Sequence, residues 1–147
     1  MRDLMFVQGM GRREFGVLAV LFTLLAVPAR ATVALDACME KAKTQHELHV
    51  CASEEAGRVE RDRTALLQRV LKAAEGDDQA VRKINASERA WLAYRAAFLE
   101  AMYPATNKQA EYGSRYPMDV NLLHAGLTLS HLEDLKMLLE DLTGQGR

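Results

Sequence analysis

The chain has 147 residues, with 19 Lys+Arg against 20 Asp+Glu, 49% apolar and 27% charged residues. This is globular composition, which excludes disordered and fibrous architectures. The even charge balance argues against a nucleic-acid binder, which would carry a basic excess or stripe.

The first 31 residues read as a leader rather than as part of the fold. Arg2, Arg12 and Arg13 are basic, and Val17 to Val27 is a run free of charge, with Thr23 its one polar residue. Such a run is shorter than the roughly 20 apolar residues a membrane span needs, and it matches the apolar core of a secretory signal. Pro28 breaks it, and Ala29-Arg30-Ala31 places small residues where signal peptidase needs them. Cleavage is therefore expected after Ala31. It would leave residues 32–147 as a single exported helical domain with no remaining span. That domain of 147 − 31 = 116 residues carries 15 basic and 18 acidic groups, a net charge of −3. Met10 offers an alternative start, and Arg12-Arg13 leaves both the general and the twin-arginine export routes open.

Cys38 and Cys51 are the only cysteines, and in an exported chain a disulfide is the default. On one continuous helix, thirteen residues would hold their Cα atoms about 20 Å apart. A disulfide tolerates less than about 7 Å. A pairing therefore requires the chain to turn back between them, and Thr44-Gln45-His46-Glu47 supplies the turning point. Thr44 fits an N-cap and Glu47 the third helical position of a capping box. The competing reading takes Leu35-Asp36-Ala37-Cys38 as an acylation site. Asp36 fits that motif poorly, and acylation would strand Cys51.

Three long helices follow the short first one. From Gln45 to Ala74, the residues Leu48, Ala52, Val59, Leu66 and Val70 recur at helical spacing, and Gly76-Asp77-Asp78 ends the helix and caps the next. The second stripe is Ile84, Trp91, Phe98 and Met102, stopped by Pro104. Residues 104–117 read as a polar loop. From Met118 to Leu142, Leu123, Leu127, Leu135, Leu138 and Leu142 form the last stripe, followed by Gly144. No useful stretch alternates at period two. The fold class is all-α: a small antiparallel bundle of one short and three long amphipathic helices, stapled by one disulfide.

Two charges fall on the inward stripes. Asp62 lies three residues after Val59 and four before Leu66, and Arg95 lies four after Trp91 and three before Phe98. A buried charge is costly unless paired. One reading makes Asp62 and Arg95 a buried ion pair across the bundle. The other places both at the solvent edge, with Arg95 running past Trp91.

Cys38, Thr44, Glu47, Cys51 and Asp62, then Glu88-Arg89-Ala90-Trp91-Leu92-Ala93-Tyr94-Arg95, Gly113-Ser114 and Leu127-Thr128, stand in an order and spacing that resemble the lysozyme inhibitor LprI-like N-terminal domain family. Trp91-Leu92-Ala93-Tyr94-Arg95 is the most specific piece. The resemblance runs from about residue 38 to 139. It implies a small, exported, helical protein that binds a lysozyme-type muramidase, in the periplasm or outside the cell. Members of that family often carry a second cysteine pair, at places taken here by Phe98 and Leu123.

An enzyme is the less favoured class. His46-Glu47-Leu48-His49 is one residue short of the zinc-protease pattern, so its histidines stand at i and i+3 and not on one face in the way that motif needs. His124 and His131 share a face beside the leucine stripe and read as core-edge or surface residues. No nucleophile elbow or phosphate loop is present, and neither a cofactor nor a metal is implied. The alternative to a lysozyme inhibitor is a structural or stress module that binds another periplasmic protein or an envelope component. In either case the contact residues are sought in the 104–117 segment. There Tyr112, Gly113, Ser114, Arg115 and Tyr116 combine aromatics, an arginine and a flexible glycine. The plainer reading is that this segment only joins two helices, with both tyrosines packed back onto the bundle.

Overall fold

A computed structural model describes residues 30–144 of the chain. The expected leader lies almost wholly outside the described residues. Helix α1 runs Arg30–Lys41, α2 Gln45–Ala73, α3 Asp78–Met102, α4 Lys108–Tyr112 and α5 Tyr116–Thr143. Among the described residues there is no strand.

Local sequence accounts for the boundaries. At the head of α2 the capping box is complete. The Glu47 N–H donates to Thr44 Oγ1 at 3.2 Å, and the Thr44 N–H donates to Glu47 Oε2 at 2.9 Å. A second donation from the Lys43 N–H reaches the same carboxylate, and these backbone bonds hold the Glu47 carboxyl below its ordinary range. Asp77 caps α3 by accepting from the Gln79 and Ala80 N–H groups. Gly76, at φ 97°, makes the reversal before it, in a region closed to most side chains.

Cys38 and Cys51 form the disulfide, with their Cα atoms 5.8 Å apart. It folds α1 back along the first half of α2. Among its described side chains α1 supplies no fully buried apolar residue, while the facing part of α2 buries Cys51, Ala52 and Ala56. The bridge is therefore the main tie holding α1 in place.

The long helices run alternately up and down, so α2 and α5 are parallel and α3 is antiparallel to both. The backbones of α2 and α5 approach most closely. Small residues permit this: Ala56, Val59 and Ala125 form one buried cluster. Further along, Leu66, Val70, Ala74, Ile84, Leu132 and Leu135 form the larger apolar core. α3 is attached differently. Its only fully buried residues are Ile84 and Glu88, so it reaches the α2–α5 pair mainly through long side chains.

The connection after α3 is more ordered than its polar composition suggests. Asn107 caps the one-turn helix α4 by accepting from the Ala110 N–H at 3.1 Å. Residues Gly113–Arg115 form a turn of 3-10 helix. Pro117 does not close a loop; it lies in the first turn of α5, where a missing N–H costs nothing.

Candidate functional site

Two groups of polar residues stand out, one inside the bundle and one at its upper end. The inner group joins all three long helices. Arg63 of α2 donates through Nε and Nη2 to Glu60 Oε1 at 3.1 and 2.6 Å. Its Nη1 donates to Glu88 Oε1 of α3. The other Glu88 oxygen lies 2.9 Å from His131 Nε2 of α5. Arg95 of α3 donates to Glu60 Oε2 at 2.8 Å and to Thr128 Oγ1 at 3.1 Å. The Thr128 hydroxyl donates in turn to the His124 carbonyl. Trp91 sits at the centre: His131 stacks on it with centroids 4.0 Å apart, and the Arg95 guanidinium lies 4.6 Å from its ring centroid.

This arrangement corrects the expected partner of Arg95. Asp62 is exposed, its side chain 53% accessible, and it receives a hydrogen bond from Arg58 one turn earlier on the same helix. Arg95 is inward and paired, but with Glu60. The inward stripe of α2 runs through Ala52, Ala56, Val59, Arg63, Leu66 and Val70. A helix advances about 100° per residue, which carries position 62 out of that stripe. The test that selected Asp62 also fits Arg63, four after Val59 and three before Leu66. It equally fits Glu88, four after Ile84 and three before Trp91. The signal was present, and the aliphatic stem of arginine hid it. His131 is fully buried rather than at the core edge.

The electrostatics follow from the geometry. Burial pushes the Glu60 carboxyl up, but hydrogen bonds from Arg63 and Arg95 outweigh it and hold the group at about 2. His124 is pulled below its ordinary range by burial and by the Arg95 charge, against the pull of Glu60. The charges inside this cluster are largely consumed by one another. It has the chemistry of a device that fixes α3 rather than of a reaction centre.

The second group lies at the junction of α3, α4 and α5. Tyr103, Tyr112 and Tyr116 pack ring against ring, at centroid distances of 5.2, 5.2 and 5.8 Å. The Tyr112 hydroxyl accepts from the Ala105 N–H at 3.2 Å, and Lys108 donates to Glu100 at 2.7 Å. Both tyrosines thus pack back onto the bundle. In doing so they brace the turn between them from both sides. Gly113, at φ 70°, adopts a backbone that favours glycine. Gly113 and Ser114 are exposed. The Arg115 side chain is 67% accessible and has one weak ionic contact, 3.5 Å to Asp119. The result is a small packed knob carrying one available guanidinium.

Fold and site together define a disulfide-stapled α-helical domain, organised round a buried charge cluster and presenting a fixed cationic turn. The chain belongs to the lysozyme inhibitor LprI family, whose sequence profile matches residues 38–135. The match begins at the first cysteine of the bridge and includes Glu60, Arg63, Glu88, Trp91, Arg95, Thr128 and His131. It also includes the knob. Neither a curated protein nor a solved structure gives a significant match. Among the described residues, no helix is long and apolar enough to cross a membrane.

Proposed function

We propose that this protein is exported, is trimmed after Ala31, and acts as an inhibitor of lysozyme-type muramidases rather than as an enzyme. The observation that carries the reading is family membership across residues 38–135. Three features support it. The disulfide suits an oxidising compartment outside the cytoplasm. The charge-free run Val17 to Val27 ahead of Ala29-Arg30-Ala31 has the form of an export signal. Trimming there would remove only Arg30 and Ala31 from the start of α1.

The knob is the contact surface in this reading. A retaining muramidase holds two carboxylates in its cleft, and a guanidinium forms strong paired hydrogen bonds with carboxylate oxygens. Arg115 projects from a turn braced by three tyrosines, so the guanidinium is presented on a packed backbone and only its own side chain must be ordered on binding. The test is a calorimetric titration of the mature protein, exported from its full-length precursor, into purified lysozyme. Saturable binding with one-to-one stoichiometry is expected. Absence of heat and of complex on gel filtration would refute the proposal.

A further inference from the structure

Beside the knob, α1, α2 and α5 meet along a groove of about 540 Å³. Its apolar lining comes from three helices: Leu35 and Met39 of α1, Leu48 of α2, and Met118 and Leu122 of α5. Arg115 also lines it, so groove and knob form one continuous surface. Asp36 of α1 supplies a charge of the opposite sign. The one uncharged polar side chain in the lining, Gln45, is engaged with the Met118 sulfur at 3.8 Å. No convergent set of polar groups is left to orient a small polar ligand, as small-molecule sites require.

We propose that this groove receives an apolar side chain at the rim of the bound lysozyme's cleft, placed between the cleft carboxylates that meet Arg115 and a cationic residue that meets Asp36. The inference rests on the function proposed above and names a second contact in the same interface. The volume accommodates one or two side chains. Two methionines in the lining let it adjust to the shape of the anchor, since their unbranched thioethers repack easily. The two charges from different helices set the polarity of the partner segment, because a like charge placed against either one is penalised. The three α1 residues, Leu35, Asp36 and Met39, reach the groove only while the disulfide holds α1 against α2, so the site depends on the oxidised chain.

The test uses the mature oxidised protein with Met39→Glu, Met39→Gln and Asp36→Arg variants. Lysozyme affinity is read by calorimetry and the fold by thermal melting. Met39→Glu is expected to weaken binding at least tenfold, and Met39→Gln less, with little change in melting. Asp36→Arg is expected to weaken it several-fold. If Met39→Glu melts early, Met39→Gln and Asp36→Arg carry the decision. Wild-type binding retained at full strength by those variants would overturn the groove proposal while leaving the inhibitor reading intact. Failure of the wild-type protein itself to bind lysozyme would overturn the inhibitor reading, and the groove's occupant with it.

Discussion

Glu88→Ala is the most demanding test of how the bundle is held together. Glu88 is only 7% exposed, and its two oxygens serve Arg63 of α2 and His131 of α5. Its loss removes two hydrogen bonds involving charged or ring nitrogens, each worth about 1.5–3 kcal/mol when charge-assisted. The same change strands the guanidinium of Arg63 with one carboxylate instead of two. Breaking a buried ion pair by deleting one partner costs about 3–5 kcal/mol, so the two routes agree on a loss near 3–5 kcal/mol. Because α3 fully buries only Ile84 besides Glu88, its attachment should weaken most. Trp91 is the only tryptophan and sits in the cluster, so its fluorescence reports the attachment directly. A urea melt followed by that fluorescence and by circular dichroism would measure the loss. With a slope of about 1.5 kcal/mol per molar urea, the midpoint should fall by roughly 2–3 M. Asp62→Ala, at an exposed site, should cost less than about 1 kcal/mol. A Glu88→Ala midpoint close to wild type would refute the account of the cluster.

Three further outcomes are expected. Intact mass and thiol titration of the exported protein should give a chain starting at Thr32 with no reactive thiol, and the Cys38→Ser/Cys51→Ser double variant should lose about 3 kcal/mol of stability; a free thiol in the native protein would contradict this. Acid should destabilise the fold in two stages, measured as melting temperature against pH. The His124 value is depressed on folding, so its contribution fades as pH falls below about 6.5, whereas the Glu60 contribution is full above 4.5 and lost towards about 2. Partial exposure of Glu60 limits its part to roughly 2 kcal/mol, and Glu60→Gln should flatten the lower stage. Arg115→Ala should weaken lysozyme binding at least tenfold, about 1.4 kcal/mol, with an unchanged thermal midpoint; equal binding by this variant would move the contact surface to the helix faces.

Much of the architecture was legible because single residues carry it. Thr44 and Glu47 announce the turn that lets Cys38 meet Cys51, and Gly76-Asp77 announces the reversal into α3. The stripes through Val59, Leu66, Val70 and Ile84 locate the core. The 104–117 segment was less legible. Its order comes from Tyr103 packing on Tyr112 and Tyr116, a contact between distant positions that no local periodicity encodes. The cluster was half legible. Arg95 falls on the stripe of α3 in sequence, which leaves a buried pair and a solvent-edge position both open, and deciding which charge of α2 turns towards it needs the phase of α2 to within one residue. That phase is fixed by how closely α5 packs on the small residues Ala56 and Val59. Glu88 and His131 look like surface residues in sequence, because a carboxylate and an imidazole are buried only where partners from other helices satisfy them, here Arg63 on Glu88 and Glu88 on His131.

The proposed inhibition of a muramidase is read most directly by enzyme turnover. Clearing of a peptidoglycan suspension by lysozyme should be followed against rising concentrations of the mature oxidised protein. Saturable, stoichiometric loss of the clearing rate is expected, with Arg115→Ala needing at least tenfold more protein for the same effect. A clearing rate that stays constant in the presence of a large excess of folded, disulfide-bonded protein would contradict it.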